Sequence, residues 1–340
     1  MRLLFFIIIL SVHILSYSQE KAQLYSVAFY NVENLYDTKR DKSIEDADFT
    51  PQGAKKWTND KYEKKIENIS EVLAKLGNNT KRLQPCIIGL AEVENRAVLE
   101  DLIHSKNLKK NNYKIIHRDS PDKRGIDVAL LYNPSIFKPS GYSTYKFASA
   151  DSPWYKSRDF LLVSGSIANE KVHIIVNHWP SRRGESSSEL REYAASVCKH
   201  IHDSIYKKEP TSKIIIMGDL NDNPDDNSCR LMLKARKSVS AVKKGGLYNT
   251  MWSLYKKGEG SYRYQRKWNM YDQIIISESL LNKKSALKYV GAEVFNPDFL
   301  FQHKGAFRGY PFRSFSGNTF INGYSDHLPI IIFLSHDTKL

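Results

Sequence analysis

The sequence predicts a layered domain of the α/β or α+β class. Apolar, β-rich runs alternate with longer polar or helical stretches between residues 24 and 336, and this alternation is typical of sheets covered by helices. Of the 340 residues, 41% are hydrophobic and 26% are charged, as in ordinary globular proteins with a sizeable core. No internal repeat, linker or change of composition interrupts residues 24–336, so we expect one domain there.

Eight short apolar runs, rich in β-branched and aromatic residues, are predicted to be strands. In chain order they are residues 25–30, 86–91, 127–132, 160–167, 172–177, 214–217, 273–276 and 330–334. Two stretches carry apolar residues at helical spacing, residues 59–76, which end before Gly77, and residues 189–206. Residues 37–56 and 255–268 are polar and rich in lysine, which predicts loops. Residues 294–324 contain many Phe and Gly without a clear period.

The N-terminus has the pattern of a secretory signal. Met1 and Arg2 precede an uninterrupted apolar run, and small residues follow it, so we expect residues 1–18 to be a signal peptide cleaved after Ser18. The alternative is an uncleaved membrane anchor, although the run is shorter than the about 20 apolar residues that span a bilayer. The prediction is an exported protein, periplasmic or extracellular.

The charge favours anionic partners. The formal net charge is +14, with 51 Lys and Arg against 37 Asp and Glu, and a positive field attracts nucleic acid and anionic lipid alike. A surface solvated by lysines explains the charge equally well. Three cysteines exclude a disulfide-dense scaffold and show no zinc-site spacing; a Cys198–Cys229 bridge is conceivable, but the spacing leaves it open.

Polar residues stand at the C-terminal ends of several predicted strands, where layered α/β folds gather their ligands. Singly, each is more often a turn former or a helix cap. Together they predict a functional site. The residues are Asn31, Glu92, Asn177 and His178, Asp219 and Asn221, and, after a turn, Asp326 and His327.

These segments resemble the endonuclease/exonuclease/phosphatase superfamily, which includes deoxyribonuclease I. Six motifs occur in the family's order over nearly all of the chain that follows the predicted signal. They are Asn31-Val32-Glu33-Asn34-Leu35, Gly89-Leu90-Ala91-Glu92-Val93, Asn177-His178-Trp179-Pro180, Gly218-Asp219-Leu220-Asn221, Tyr271-Asp272-Gln273-Ile274 and Ser325-Asp326-His327-Leu328-Pro329. The resemblance implies a four-layer α/β sandwich, in which two packed mixed β-sheets are flanked by helices.

The resemblance also implies a metal site. It makes Glu92 the main ligand and places Asn31 and Asp326 close to the cation. Hard oxygen ligands suit Mg²⁺, Mn²⁺ or Ca²⁺ and argue against zinc. Glu33 falls where some relatives have an acidic residue near the metal, but it is left out of the assigned set because it could face solvent.

The resemblance assigns the chemistry to five further residues. It makes Asp219 the general base and lets Asn221 hold the water or a phosphate oxygen. His178 and His327 would contact the scissile phosphate. Asp272 would hydrogen-bond His327, which would fix its tautomer and raise its pKa.

The basic residues outside the motif centres have weaker matches. Arg158 matches an arginine that touches the substrate phosphate in nuclease relatives, and a surface arginine at a strand start is the competing interpretation. Arg182 and Arg183 could meet further phosphates. The tract 262–268 interleaves aromatics and cations as single-strand binders do, but a sheet strand is the preferred interpretation. No tyrosine is matched to the one that many relatives place near the phosphate.

Three functions compete at this point. The leading hypothesis is an exported, monomeric, metal-dependent phosphodiesterase that cleaves nucleic acid as an endonuclease and needs no stable protein partner. The second keeps the chemistry but takes a phospholipid or inositol phosphate head group, which requires an apolar loop such as the Phe-rich residues 295–315. The third is a non-catalytic binding protein with the same fold.

Overall fold

Two mixed β-sheets packed face to face form the centre of the computed structural model, which describes residues 22–77, 83–184 and 187–337. In chain order the strands are β1 Gln23–Leu35, β2 Ile87–Val93, β3 Lys114–His117, β4 Asp127–Tyr132, β5 Phe137–Tyr145, β6 Phe160–Ile167, β7 Glu170–His178, β8 Lys213–Asp219, β9 Ala235–Arg236, β10 Leu247–Asn249, β11 Tyr262–Tyr264, β12 Lys267–Asn269, β13 Asp272–Ser277, β14 Leu287–Val294, β15 Phe315–Ser316, β16 Thr319–Phe320 and β17 Ile330–His336. The α-helices are α1 Asn59–Lys75, α2 Arg96–His104, α3 Ser187–Lys208 and the short α4 Trp252–Lys256.

The strand order places a parallel pair inside each sheet. The first sheet runs β14-β17-β1-β2-β4-β3 and the second β5-β6-β7-β8-β13-β10-β9. β1 pairs in parallel with β2, and β7 pairs in parallel with β8, whereas most neighbouring strands are antiparallel. Because β1 also pairs with β17, the first and last described strands are neighbours in the first sheet.

The alternation of side chains along β8 shows how the layers pack. Ile215 and Met217 belong to the core between the two sheets, whereas Ile214 and Ile216 face the cluster that includes Cys198 of α3. Successive residues of a strand point to opposite faces, so β8 is buried on both sides. A Cβ at Gly89 of the first sheet would lie 2.5 Å from Met217 Sδ, which shows how closely the sheets approach.

The helices complete a four-layer sandwich, as the sequence predicts. The apolar side of α1, with Ile69, Val72 and Leu73, joins the core of the first sheet, and so do Val98 and Leu102 of α2. α3 covers the opposite face of the second sheet.

The eight predicted strands are confirmed in β1, β2, β4, β6, β7, β8, β13 and β17, and the two predicted helices are α1 and α3. Among the described elements, the prediction missed α2, the short α4 and the other nine strands, among them β3, β5 and β14 of the two large sheets. Along β5 all residues between its two ends are exposed at the sheet edge, so no apolar run marks this strand.

The polar segment 255–268 is not simply a loop. It contains the end of α4 and a β11–β12 hairpin that lies outside both large sheets, so the preferred interpretation of tract 262–268 as a sheet strand is wrong. Gln265 and Arg266 adopt positive φ angles of 47° and 65°. Two consecutive residues in this conformation suit a tight hairpin turn.

Two further expectations concern the cysteines and the N-terminus. Cys86, Cys198 and Cys229 are buried free thiols, so Cys198 and Cys229 are not bridged. Within the described ranges, no helix is both long and apolar enough to cross a membrane. The predicted signal, residues 1–18, lies outside the described residues.

Candidate active site

The parallel pairs β1–β2 and β7–β8 bring predicted site residues to one region. Asn31 and Glu92 stand near the C-terminal ends of β1 and β2, and His178 and Asp219 end β7 and β8 opposite each other. Parallel neighbours end at the same edge of a sheet. Antiparallel β13 begins with Asp272 directly beside Asp219.

The turn before β17 closes the site from the first sheet. Ser325 Oγ donates a hydrogen bond of 2.7 Å to the carbonyl of Asn31, and the amide of His327 donates to Ser325 Oγ at 3.1 Å. The turn therefore anchors Asp326 and His327 to the end of β1.

Asp219 lies at the centre of the arrangement, with an exposed fraction of 2%. Its Oδ2 accepts a hydrogen bond of 3.0 Å from Asn31 Nδ2 and lies 3.6 Å from His178 Nε2 and 3.7 Å from His327 Nε2. Oδ1 accepts the backbone amide of Asn221 at 2.9 Å. Burial, together with the negative charge of Asp272, raises the pKa of Asp219.

His327 is the cationic member of the site. Its Nδ1 lies 2.6 Å from Asp272 Oδ2, which confirms the predicted contact between residues 55 positions apart. Burial alone would lower the pKa of His327, but the carboxylates of Asp272 and Asp219 outweigh it and raise the pKa well above 6.5. Asp272 is fully buried, so this pair is shielded from solvent.

His178 is the neutral counterpart. Burial, reinforced by the positive charges of Arg158 and Arg124, lowers its pKa well below 6.5. Its buried Nδ1 has no hydrogen-bond partner among the described residues. Two histidines in opposite charge states thus flank one carboxylate, which is how a site can both donate and accept protons near neutral pH.

Several backbone positions at the site are strained. Glu33, Asn34, Glu92 and Asn221 have positive φ angles of 53°, 51°, 64° and 51°. The register of β1 against β2 shifts between Asn31 and Leu35, and that of β2 against β4 shifts around Glu92. Non-glycine residues in this conformation cost about 1–2 kcal/mol and concentrate at functional sites, where bulges aim side chains.

The predicted metal ligands carry carboxylate and amide oxygens, which suit a hard divalent cation, but Asn31 Oδ1 accepts the backbone amide of Glu33 at 3.0 Å. The partly exposed Glu92 carboxylate lies beside the Asn31 amide, which donates 3.3 Å to Glu92 Oε1 and 3.0 Å to Asp219 Oδ2. Asn31 and Glu92 are in contact with each other, whereas Asp326 is partly exposed and pairs with Arg313.

The comparisons with known proteins decide the family. The model of the endonuclease/exonuclease/phosphatase family matches residues 26–336. The chain belongs to this family. A search among curated proteins returned no match.

Solved structures of the same fold cover nearly the whole chain. A family member from Bacteroides thetaiotaomicron has a TM-score of 0.57 at 13% identity, over 94% of this chain and 98% of that one. D. rerio TDP2 complexed with a single-strand DNA product has a TM-score of 0.53 at 14% identity, over 92% and 98%. A mannosyl-6-phosphatase of B. thetaiotaomicron has a TM-score of 0.55 at 14% identity, over 91% and 99%. At these identities the likeness establishes the fold, and family membership supports phosphoester hydrolysis as the reaction class.

The sequence did not predict a buried ion cluster that lies next to the candidate active site and contains Lys65 and Glu33. Lys65 of α1, 1% exposed, lies with its Nζ 3.9 Å from Glu33 Oε2 and donates to Ser314 Oγ and the Tyr324 carbonyl at 2.6 and 2.7 Å. Glu33 is buried and does not face solvent. Burial and the charge of Asp326 raise the pKa of Glu33, whereas burial lowers the pKa of Lys65.

Two tyrosines were also missed. The Tyr262 ring lies 4.8 Å from the His327 ring and 5.4 Å from the Tyr271 ring, between centroids. Tyr262 leads the β11–β12 hairpin, and Tyr271 precedes Asp272. The aromatic tract was visible in the sequence, but its position against His327 depends on the hairpin.

The predicted phosphate-binding residues have structural partners as well. Arg158 is 4% exposed and donates to the carbonyls of His178 and Trp179 and to Asp122 Oδ2, at 3.1, 2.6 and 2.9 Å. Its contact with substrate phosphate stays a prediction. The Asn221 side-chain amide donates to the Trp179 carbonyl at 3.0 Å. Arg182 pairs with Asp222 and Asp226, whereas Arg183 is exposed.

Proposed function

We propose that the protein is an exported, divalent-metal-dependent phosphodiesterase that cleaves nucleic acid as a DNase I-like endonuclease. One observation carries the proposal: a buried carboxylate, Asp219, lies 3.6 and 3.7 Å from two histidines whose pKa values shift in opposite directions. This arrangement supports the proposal because hydrolysis of a phosphodiester needs a proton acceptor and hydrogen-bond donors close together.

The residues divide the reaction as follows. Asp219 Oδ2 orients a water molecule and accepts its proton while the water oxygen attacks phosphorus opposite the leaving oxygen. His178 and His327 hydrogen-bond the phosphate oxygens, and protonated His327 gives its Nε2 proton to the leaving oxygen as the P–O bond breaks. Asp272 holds the His327 ring through a hydrogen bond to Nδ1. The backbone amide of Asn221 donates a hydrogen bond to Asp219 Oδ1 and holds that carboxylate in place. No covalent intermediate with the enzyme is required.

Glu92 and Asn31, with Asp326 nearby, would hold the metal ion, for which Mg²⁺ is the first candidate and Mn²⁺ or Ca²⁺ the alternatives. When bound, such a cation withdraws negative charge from the phosphate oxygens.

Nucleic acid is the favoured substrate for two reasons. The net charge of +14 attracts polyanions, and the fold relative TDP2 is seen with a single-strand DNA product. The lipid alternative requires an apolar loop, but Phe307 is the one exposed phenylalanine of residues 295–315, with an exposed fraction of 43%. A non-catalytic binding protein would have no need of the complete set of converging site residues.

A panel of substrates tests the proposal. The chain without residues 1–18 is incubated with plasmid DNA, RNA, sphingomyelin liposomes, mannose 6-phosphate and bis-p-nitrophenyl phosphate, with Mg²⁺, Mn²⁺, Ca²⁺ or a chelator. We expect plasmid nicking that requires a divalent ion and is lost in Glu92→Gln. Turnover of lipid or sugar phosphate with none of nucleic acid would overturn the assigned substrate, and full activity in the chelator would overturn metal dependence.

Export is tested separately. A fusion of residues 1–18 to a reporter enzyme that is active only outside the cytoplasm should give active reporter. An inactive, cytoplasmic reporter would contradict the proposal.

A further inference from the structure

A basic cavity with an exposed tryptophan lies beside the catalytic centre. Its volume is about 270 Å³. Two surface segments form it, one with Lys123 and Arg124 and the other with Trp154, Lys156 and Arg158. No role assigned above uses the cavity as a binding site.

The cavity shares a wall with the site that contacts the scissile phosphate. Arg158 lines the cavity and donates to the carbonyls of His178 and Trp179. Arg124 is close enough for its charge to lower the pKa of His178. A group in the cavity would therefore lie next to a phosphate held at His178.

The electrostatics of the cavity favour an anion. Four cationic side chains and one carboxylate, that of Asp122, line the cavity. Both oxygens of this carboxylate already accept hydrogen bonds. Asp122 Oδ2 accepts Arg158 Nη1 at 2.9 Å, and Oδ1 accepts the Arg124 amide at 2.9 Å. Within the described ranges, neither Lys123 nor Lys156 has a carboxylate partner, and both are exposed. Positive charge thus remains available to a ligand.

Trp154 supplies a flat apolar surface at the rim. With an exposed fraction of 72%, it is the most exposed large hydrophobic side chain among the described residues. Its ring meets the edge of Tyr155 at 6.0 Å, and Tyr155 packs against Phe147 at 5.6 Å. The Trp154 ring is therefore supported by Tyr155, while most of its own surface is exposed to solvent. Aromatic platforms beside cations are the way proteins bind single-stranded nucleic acid.

We propose that the cavity binds the nucleotide adjacent to the scissile phosphate of a single-stranded nucleic acid, with the base stacked on Trp154 and its phosphate facing Arg124 and Lys156. This inference rests on the proposed function and predicts that strands able to present an unpaired base, including locally opened plasmid DNA, are cleaved faster than intact linear duplex. A duplex base is already stacked on both faces and is not free to stack on Trp154.

Tryptophan fluorescence tests binding without catalysis. The protein is titrated in a chelator with single-stranded DNA and RNA pentanucleotides, with the matching duplex and with inorganic phosphate. We expect the single strands to quench the emission and the duplex to quench it less. Trp154→Phe should remove most of the change, and Trp252→Phe, at a partly buried tryptophan away from the cavity, should leave it intact.

Affinity and kinetics supply the second measurement. Trp154→Ala should weaken pentanucleotide binding about tenfold, and Arg124→Gln and Lys156→Gln should weaken it and flatten its salt dependence. Unchanged melting temperatures of the variants show that folding is intact. Quenching that persists in Trp154→Phe, or unchanged affinity in Trp154→Ala, would overturn the inference.

The two proposals fail in different ways. If the wild type cleaves nucleic acid but Trp154→Ala binds the pentanucleotides as tightly as the wild type, the cavity inference fails alone. If Trp154-dependent binding is present but nucleic acid is not hydrolysed, the proposed reaction fails and the binding site stands.

Discussion

At the scale of single residues, the environment of Asp219 explains how a buried carboxylate is tolerated at the site. Burying an ionised group is costly unless hydrogen bonds and opposite charges compensate. Asn31 and the Asn221 amide donate to its two oxygens, and His327 supplies positive charge from 3.7 Å. The function of Asp219 therefore depends on neighbours that arrive from both sheets.

The Asp272→Asn variant tests the pairing with His327. An amide retains the size of the carboxylate but removes the charge that orients and stabilises the imidazolium. We expect turnover to fall about 10²-fold or more, with the melting temperature nearly unchanged. The comparison is the rate of bis-p-nitrophenyl phosphate hydrolysis by variant and wild type. Equal rates would remove Asp272 from the mechanism.

Lys65→Met tests the buried cluster behind the site. Without the ammonium group, buried Glu33 loses one cationic neighbour and keeps another, Arg313, whose Nε lies 3.9 Å from Oε1, so we expect a loss of about 2 kcal/mol in the free energy of unfolding. Lys64→Met, at an exposed neighbour on α1, should change it little. Chemical denaturation measures both, and Glu33→Gln combined with Lys65→Met should recover part of the loss. Equal stability of the two single variants would contradict the assignment.

The site residues at strand ends were predictable because motif and strand end coincide in the sequence. Lys65 was not singled out, although it is placed three residues after Tyr62 and four before Ile69, on the apolar side of α1. Its partners, Ser314 and Glu33, are far away in the chain, and no local pattern reveals such a contact.

At the scale of elements, strained strand ends position the side chains of the candidate active site. β8 ends at Asp219, and Asn221 follows in the left-handed region with a φ of 51°. This turn directs the backbone amide of Asn221 back to Asp219 Oδ1. Buried strands such as β8 were predictable from apolar composition, whereas β5 and the β11–β12 hairpin were not, because exposed strands lack that signal.

Asn221→Ala and Asn221→Gly isolate the strain at this turn. Both variants lack the side-chain amide, so their difference reports the backbone alone. The left-handed conformation is unfavourable for alanine, because of its Cβ atom, but not for glycine. We therefore expect the free energy of unfolding of the glycine variant to be about 1 kcal/mol higher. Thermal unfolding of the two proteins provides the comparison, and a more stable alanine variant would show that the turn is not strained.

Helix α3 carries a buried histidine that makes stability depend on pH. His202 is fully buried, stacks on Tyr206, and has its pKa lowered mainly by burial. The folded state therefore favours neutral His202, so this contribution is complete above pH 6.5 and is lost as the pH falls through the lowered pKa. His202→Gln should reduce the drop in melting temperature between pH 7.5 and 5, whereas His200→Gln, exposed on the same helix, should not. Identical drops in both variants would contradict this.

At the scale of the whole molecule, the site exists only when the two sheets are packed together. Asn31, Glu92 and His327 come from the first sheet, and His178, Asp219 and Asp272 come from the second. Because the six motifs contain these residues, their order along the chain was enough to predict both the fold and the residues around Asp219. The cavity beside Trp154 was not predictable, because it forms where two irregular surface segments meet.

The most direct test of the central claim is phosphodiester hydrolysis by Asp219→Asn beside the wild type, in Mg²⁺ and in a chelator. We expect the variant to fold normally and to lose about 10²- to 10⁴-fold of the wild-type rate, and we expect the chelator to abolish wild-type turnover. A folded Asp219→Asn protein with the wild-type rate would contradict the role of Asp219 as general base.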